Sequence, residues 1–247
     1  MKNHQVVLIT GGAKRVGATI ARHLHSLEMD LILHYHHSET EARRLQAELQ
    51  QQRPDSVWLL QANLLNIEEL TTKVQQAIAH YNRLDVLINN ASTYYPTPLE
   101  QATEQQWEDL LGTNLKAPFF LARTVAPALR LTAGCIINLV DIHAKRPLKN
   151  HPIYSTAKAG LMMLTQALAI ELAPQVRVNA IAPGAILWPE SPQAITETTK
   201  QDILTRIALS RLGNPNDIVQ AVEFLIQKAG YITGQIITID GGRTLYQ

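Results

Sequence analysis

Short apolar runs alternate with longer segments of helical period along almost the whole chain. Several runs are apolar at consecutive positions, which is typical of strands in a parallel sheet that is covered on both faces. The runs are Val6–Thr10, Leu31–Tyr35, Val57–Gln61, Val86–Asn89, Cys135–Val140, Val176–Ile181 and Ile236–Ile239. This alternation predicts a single doubly wound, Rossmann-type α/β domain over residues 1–247, with a parallel sheet of about seven strands and helices on both faces.

Several of the intervening segments begin with residues that cap helices. These are Ser38 with Glu41, Asn66 with Glu69, Thr103 with Gln106, and Asn214 followed by Pro215. The most irregular segment, Pro183–Thr199, carries two further prolines and many small polar residues. It is too short for a domain boundary, so we expect a substrate loop at about residues 184–200.

Charge and composition exclude several classes of function. The chain has 22 Lys and Arg against 21 Asp and Glu, which leaves no basic excess for a nucleic-acid backbone. The single cysteine, Cys135, makes neither an internal disulfide nor a zinc site, and the 9 histidines show no metal-ligand spacing. No signal peptide precedes the first apolar run, and no stretch is apolar enough to span a bilayer. We therefore expect a cytoplasmic globular protein that binds neither nucleic acid, membrane nor metal.

The turn after the first strand, Thr10–Gly17, has glycines at positions 11, 12 and 17. Glycines at a strand-to-helix turn let the backbone approach a pyrophosphate, which then lies at the helix N-terminus. The turn resembles that of the short-chain dehydrogenase/reductase family, Thr-Gly-x-x-x-Gly-x-Gly. Arg15 stands where the middle glycine is usual, and in this the chain is similar to the pteridine reductases of that family. Arginine is poorly placed at a helix N-terminus unless an anion lies nearby, so we expect Arg15 to contact a phosphate or the substrate.

The second strand ends without the acidic residue that holds the ribose of NAD. A carboxylate there would repel a 2′-phosphate, whereas His36, His37 and the Ser38 hydroxyl can donate to it. The run is similar to that of pteridine reductases, with His37 where arginine is common. We therefore expect NADPH as the cofactor. In the alternative interpretation, Ser38 only caps its helix and both histidines are solvated.

Tyr154 and Lys158 are four residues apart, which places both on one face of a helix. A nearby ammonium stabilises a phenolate, so we expect Lys158 to lower the pKa of the Tyr154 phenol. The pair resembles the catalytic helix of the family. Asn114 lies four residues before Pro118, which has no N–H for the Asn114 carbonyl. The resemblance implies that this carbonyl holds a water beside Lys158 in a proton relay, and the alternative is a simple proline kink.

Asp141 follows the fifth strand, thirteen residues before Tyr154, where the family usually carries a serine. Pteridine reductases are similar in having aspartate there. A carboxyl group can exchange a proton with a ring nitrogen, which the reduction of a C=N bond requires. We therefore expect Asp141 to be catalytic, and the alternative is an acid that caps the next turn.

The segment after the fourth strand, Asn89-Asn90-Ala91-Ser92, resembles the family's Asn-Asn-Ala-Gly. Tyr94 follows it, at the position of an aromatic residue that stacks on the pterin in pteridine reductases. The alternative is a loop tyrosine packed against neighbouring helices.

The resemblance extends from Thr10 to Gly242 and implies three sets of site residues. The catalytic residues are Asn114, Asp141, Tyr154 and Lys158. The cofactor-binding residues are Gly11, Arg15, Val16, Gly17, His36, His37, Ser38, Asn63, Asn90, Ala91, Ser92, Tyr154, Lys158, Pro183 and Gly184. The substrate-binding residues are Arg15, Ser92, Tyr94, Asp141, Tyr154, Leu187 and Trp188.

The function that this resemblance implies is NADPH-dependent reduction of a C=N bond in a pterin of the dihydropterin or biopterin type, or in dihydrofolate. One alternative is a carbonyl reductase such as a 3-oxoacyl-thioester reductase, and Asp141 and Arg15 count against it. A non-catalytic NADPH-binding sensor is the other, and Tyr154 with Lys158 counts against that. The apolar helices that contain Asn114 and Tyr154 resemble those that pair in homotetramers of the family, so we expect a homotetramer.

Overall fold

The computed structural model describes residues 4–188 and 195–245. The strands are β1 Val6–Ile9, β2 Asp30–Tyr35, β3 Val57–Gln61, β4 Val86–Asn89, β5 Cys135–Leu139, β6 Arg177–Pro183 and β7 Ile236–Ile239. The helices are α1 Arg15–Ser26, α2 Glu39–Gln50, α3 Ile67–Tyr81, α4 Glu104–Leu111, α5 Ala117–Thr132, α6 Pro152–Glu171, α7 Glu197–Thr205 and α8 Pro215–Gln227. Every strand begins and ends within two residues of its predicted bounds.

The strands form one sheet in the order β3-β2-β1-β4-β5-β6-β7, and every neighbouring pair is parallel. The chain moves outward from β1 to β3 and then crosses back to β4 on the other side of β1. This reversal makes the crevice beside β1 and β4 the topological switch point, where open α/β sheets bind their ligands. The predicted doubly wound fold is confirmed.

Both faces of the sheet are covered by helices, and this explains the continuous apolar runs. In β1, Val7 and Ile9 face a core that also takes in side chains of α1 and α8. The intervening Val6 and Leu8 face a second core with side chains of α3 and α5. Successive residues of a strand point to opposite faces, so both sets of positions must be apolar. Within the described ranges, no helix is both long and apolar enough to cross a membrane.

The helix-start predictions hold at three places and fail at one. Thr103 and Gln106 form a capping box before α4, Asn66 accepts from the Glu69 N–H before α3, and the Asn214 side chain caps α8. Before α2, Ser38 is the N-cap residue, but its side chain makes no cap hydrogen bond.

The predicted capping box at α2 is therefore wrong. Its acidic member, Glu41, forms an ion pair with Lys14 instead, with 2.6 Å between Lys14 Nζ and Glu41 Oε1.

The predicted substrate loop is shorter than expected at its end. β6 reaches Pro183, and α7 already begins at Glu197, because the Thr196 hydroxyl accepts a hydrogen bond from the Thr199 N–H and caps the helix. Residues 197–200 are therefore helical, and residues 189–194 of the predicted loop lie outside the described part of the chain.

Candidate active site

The glycine turn lies at the switch point, and its conformation requires glycine at two positions. Gly11 has a φ of +60°. A Cβ atom added to Gly17 would lie 2.3 Å from the Gly11 carbonyl oxygen, which leaves no room for a larger residue. The first turn of α1 contains no acidic residue. The N-terminus of α1 thus has the backbone approach and the charge that suit a bound phosphate.

Hydrogen bonds join this turn to the segment after β4. The Thr10 hydroxyl accepts from the backbone N–H groups of Asn90 and Ala91, each at 3.0 Å. The Asn90 side chain donates to the carbonyl oxygens of Thr10 and Gly11, at 2.8 and 3.0 Å. Asn90 and Ala91, both predicted to contact the cofactor, therefore also hold the glycine turn in place.

Arg15 occupies a left-handed backbone conformation, with a φ of +51°. This region favours glycine, and its use by an arginine costs conformational energy that glycine would not incur. The Arg15 guanidinium donates a 3.2 Å hydrogen bond to the carbonyl oxygen of Trp188. The structure therefore brings Arg15 to the start of the predicted substrate loop.

His34, near the end of β2, bonds to the glycine turn. It was not predicted as a site residue. It is buried, its Nδ1 accepts from the Gly11 N–H at 3.2 Å, and its Nε2 faces the Ala62 carbonyl oxygen at 3.1 Å. This pattern requires a neutral ring with its proton on Nε2. Burial lowers the pKa of His34 to about 4. The only signal in the sequence is a histidine inside an otherwise apolar strand.

The residues expected to contact a 2′-phosphate lie together at the exposed end of β2. The rings of His36 and His37 have their centroids 3.6 Å apart, and burial and the neighbouring His37 lower the pKa of His36. Ser38 follows with a hydroxyl that does not cap α2. Lys14 reaches the same region through its ion pair with Glu41, and sequence reasoning missed it as a candidate. No carboxylate ends the strand itself, as predicted.

A π-helical turn, Gly112–Lys116, joins α4 to α5 and contains the buried Asn114. Turns of this kind occur often at functional sites. The Asn114 amide donates to the carbonyl oxygens of Leu110 at 2.9 Å and Thr93 at 3.0 Å, and its Oδ1 accepts from the Ser92 hydroxyl at 2.7 Å. The sequence predicted a kink at Pro118, and the structure places the irregularity one turn earlier.

Asp141, Tyr154 and Lys158 meet beyond the end of β5. The Tyr154 hydroxyl donates a 2.8 Å hydrogen bond to Asp141 Oδ2. Asp141 Oδ1 accepts from the His143 N–H at 2.8 Å, so this residue also caps the short helix Ile142–Ala144. Lys158 is 2% exposed, and its Nζ donates to the Leu139 carbonyl oxygen at 2.9 Å. The interpretation of Asp141 as a cap for the next turn therefore holds, and the same carboxylate also bonds to Tyr154.

The prediction that Lys158 lowers the pKa of Tyr154 is wrong for this arrangement. Burial and the negative charge of Asp141 raise the pKa of the phenol above its ordinary value, while a hydrogen bond with Ser92 opposes them. The Lys158 ammonium lies 5.8 Å from the centre of the Tyr154 ring. Burial lowers the pKa of Lys158 to about 8, although Asp141 acts in the opposite direction. Desolvation outweighs the attraction between the two charges.

Tyr94 stands directly beside the catalytic candidates and remains 54% exposed. Its ring is edge-on to that of Tyr154 at 4.9 Å and stacked on His151 at 4.8 Å, with 13° between the ring planes. The structure therefore places an exposed aromatic ring next to Tyr154, and one of its faces is already covered by His151.

The remaining predicted residues lie at several other places in the fold. Asn63 follows β3, and its side chain accepts from the Leu65 N–H. Gly184 follows β6 and leaves no room for a Cβ, which would lie 2.7 Å from the Asp240 side chain. Leu187 is 38% exposed, and the Lys200 ammonium lies 5.9 Å from the Trp188 ring. Val16, at the start of α1, packs against the core.

Within residues 4–188 and 195–245, no group of three or more His, Cys, Asp or Glu side chains is placed to hold a metal ion.

Comparison with known proteins agrees with this architecture. The family model described as enoyl-(acyl carrier protein) reductase matches residues 11–244. The chain therefore belongs to the short-chain dehydrogenase/reductase family, and it is an oxidoreductase of the kind that uses a nicotinamide cofactor.

Two kinds of reductase are similar to this chain. It is 34% identical to pteridine reductase 1 of Leishmania tarentolae in an alignment of 281 positions that covers 97% of this chain and 96% of that protein. It is also 34% identical to the 3-oxoacyl-(acyl-carrier-protein) reductase FabG of Staphylococcus aureus, over 98% of this chain and 99% of that protein. The FabG of Staphylococcus epidermidis matches at 34% over 95% of this chain. The equal identities show that the chain is a reductase, but they do not distinguish a pterin substrate from a 3-oxoacyl thioester.

Proposed function

We propose that this protein is an NADPH-dependent reductase that acts on a C=N bond of a pterin, of the dihydropterin or biopterin type or dihydrofolate. The observation that carries the proposal is the 2.8 Å hydrogen bond from the Tyr154 hydroxyl to the Asp141 carboxylate. It joins a phenol to a second group that can exchange protons, at the place where the family usually has a serine.

The residues present fit a nicotinamide cofactor. The Gly11–Gly17 turn is so tightly packed that a Cβ at Gly17 would lie 2.3 Å from the Gly11 carbonyl oxygen, and α1 begins there without an acidic residue, which suits a bound pyrophosphate. His36, His37 and Ser38 would hold the 2′-phosphate, with Lys14 as a further cation beside them. Asn63, Asn90, Ala91, Ser92, Pro183 and Gly184 would line the path from the adenine end to the nicotinamide end. When bound, NADPH supplies a hydride.

The protein's own part of the reaction is to supply and hold a proton. Reduction of a C=N bond adds a hydride to carbon and a proton to nitrogen. The Tyr154 phenol keeps its proton, because burial and Asp141 raise its pKa, until a developing negative charge on the substrate nitrogen accepts it. Asp141, in hydrogen-bond contact with the phenol, would carry this single proton from Tyr154 to the ring nitrogen.

Lys158 and Asn114 would assist Tyr154 by orienting the cofactor and by holding a relay water. The buried Lys158 ammonium is held by the Leu139 carbonyl oxygen, and we propose that it orients the nicotinamide ribose. The Asn114 side chain is fixed by four hydrogen bonds at the π turn. The backbone carbonyl of Asn114 would hold the relay water because Pro118 has no N–H to offer it.

The substrate would lie against Tyr94, whose ring is exposed beside Tyr154. A flat heteroaromatic ring gains stacking energy there that an aliphatic chain does not. Arg15, Ser92, Leu187 and Trp188 would complete the pocket together with the segment between β6 and α7.

A 3-oxoacyl-thioester reductase is the second candidate, and the likeness to FabG at the same 34% identity favours it. The two candidates separate in one assay. NADPH oxidation is followed with dihydrobiopterin, dihydrofolate and an acetoacetyl thioester at equal concentrations. Turnover of the dihydropterins supports the proposal, whereas turnover of the thioester alone refutes it. A protein that binds NADPH and reduces none of them would be the non-catalytic sensor.

We also propose a homotetramer. Exposed apolar side chains lie along α4, α5 and α6, among them Trp107, Phe119, Met163 and Ile170. A cavity of about 370 Å³ between these helices is lined mainly by apolar residues, including Trp107, Leu115 and Phe119. Burial of this face against a second copy would remove it from water. Light scattering after size exclusion tests this, and Phe119→Lys should release smaller species.

A further inference from the structure

The C-terminal turn after β7 brings a positive charge to the reaction centre, and the proposed function makes no use of it. Arg243 begins a short helix, Arg243–Leu245, and is partly buried. The turn is held firmly: Asp240 Oδ1 accepts from the Gly242 N–H and Oδ2 from the Thr244 N–H, at 2.9 and 2.7 Å. Its backbone also accepts a hydrogen bond from Leu209, at the Gly241 carbonyl oxygen.

The turn forms one wall of the space around Asp141. Thr244, the residue after Arg243, lines the same cavity of about 220 Å³ as Asp141. The Asp141 carboxylate acts to raise the pKa of the Arg243 guanidinium, and the charge of Arg243 opposes the rise in the pKa of the Tyr94 phenol. Tyr94 in turn contacts Tyr154 edge to face. Arg243 thus lies beside the aromatic ring and the carboxylate that are proposed to receive the substrate.

In the described part of the chain the Arg243 guanidinium has no directly bonded partner, although Asp141 and Asp240 attract it electrostatically. Among residues 4–188 and 195–245, its side chain makes neither a hydrogen bond nor an ion pair, even with the nearby Asp141. Burial lowers its pKa, as desolvation does for any cation. A guanidinium carries five N–H donors in a planar fork, and those of Arg243 are not among the buried unsatisfied atoms, so they remain open to solvent and to a ligand.

Further cations surround the same space. Arg206, at the end of α7, repels Arg243 electrostatically, although its own guanidinium pairs with Asp202 at 3.0 Å. Lys145 and Arg146 line the cavity next to Asp141. Asp240 as well as Asp141 attracts Arg243, and the surrounding positive side chains favour the binding of an additional anion there.

We infer that Arg243 is a substrate-recognition residue that binds an anionic substituent, a carboxylate or a phosphate, carried by the substrate. The inference rests on the proposed function and extends it, because Arg243 would select substrates by the charge of the group attached to the reducible ring. The guanidinium geometry matches both oxyanions, since two N–H groups can bind two oxygens at once.

The test compares substrates that share a ring and differ in charge. kcat and KM are measured for dihydrofolate against dihydrobiopterin, and for dihydroneopterin phosphate against dihydroneopterin, with the wild-type protein and with Arg243→Gln and Arg243→Lys. Arg243→Gln should raise KM for the anionic member of a pair by about 10- to 100-fold, the loss expected for a hydrogen bond to a charged group. The neutral member should change by less than about threefold, and Arg243→Lys should recover part of the loss. The first pair reports on a carboxylate and the second on a phosphate.

Two controls isolate the role of Arg243. Arg130→Gln removes an exposed arginine near the end of α5, at the edge of the sheet opposite the site, and should leave all four substrates unaffected. The Kd for NADPH and the unfolding midpoint of Arg243→Gln should match those of the wild type. An equal effect on both members of each pair would show that Arg243 acts through Asp141 or the fold, and it would overturn the inference.

Failure of the proposed function gives a different pattern. If the wild type reduces no dihydropterin and only the thioester, the same variants are compared on acetoacetate and its methyl ester. Loss confined to the carboxylate supports anion recognition by Arg243, and equal rates with both overturn it.

Discussion

The Tyr154 hydroxyl lies 2.8 Å from Asp141 Oδ2, and this bond connects a helix residue to a residue at the end of a strand. The strand β5 ends at Leu139, two residues before Asp141, while Tyr154 lies in the first turn of α6. The bond brings a phenol and a carboxylate together, while the Lys158 ammonium lies 5.8 Å from the centre of the Tyr154 ring. The chemistry of the site depends on this arrangement.

Replacement of Asp141 separates the two candidate reactions. Asp141→Ser should lower kcat/KM for a dihydropterin by about 10²–10⁴-fold, because a serine does not replace a carboxyl group as proton donor. Any activity on a ketone should persist or rise, since the change gives the residue usual in the family. Parallel assays on both substrate classes check this. Full activity of Asp141→Ser on dihydropterins would favour the carbonyl reductase.

Tyr154→Phe should abolish turnover and preserve cofactor binding, since only the hydroxyl is lost. The expected decrease in kcat is about 10²–10⁴-fold, the usual contribution of general acid catalysis. Fluorescence titration with NADPH measures binding beside the turnover assay. Tyr95→Phe is the matched control, because the Tyr95 hydroxyl bonds to Asp109 rather than to Asp141. An active Tyr154→Phe protein would contradict the mechanism.

Cofactor preference should favour NADPH over NADH, because β2 ends without a carboxylate and is followed by His36, His37 and Ser38. His37→Asp should shift the ratio of kcat/KM values towards NADH by about tenfold or more, equivalent to about 1.4 kcal/mol of charge repulsion. His80→Asp adds the same charge on an exposed part of α3 and should leave the ratio unchanged. Equal use of both cofactors by the wild type would refute the assignment.

His34 should make the protein sensitive to acid. Its pKa is about 4 in the folded protein and near its ordinary value of 6.5 when unfolded. The unfolded chain therefore binds a proton in this range that the folded chain does not, and stability falls as pH decreases from 6.5 towards 4, by up to about 3 kcal/mol.

Denaturant unfolding at pH 7.5 and 4.5 measures this effect. His34→Gln should reduce the difference between the two pH values, while His80→Gln should not, because His80 is exposed. Part of the acid sensitivity should persist in His34→Gln, since burial also lowers the pKa of His25. An unchanged difference in His34→Gln would show that His34 ionises without cost to the fold.

The sequence by itself determined the sheet, the glycine turn and the Tyr154–Lys158 pair. Strand positions follow from apolar runs, and the spacing of Tyr154 and Lys158 follows from the pitch of one helical turn, so both depend on local geometry. Gly11 and Gly17 are required by a close approach within a single turn. Asp141 was recognised from its place after β5.

Only the tertiary structure decided what these groups do to one another. The bond of His34 to Gly11, the ion pair of Lys14 with Glu41 and the position of Arg243 near Asp141 join segments far apart in the chain. The pKa of Tyr154 is raised rather than lowered because burial and the Asp141 charge outweigh the more distant ammonium. Desolvation depends on every element packed around a group, and spacing along the chain carries no measure of it.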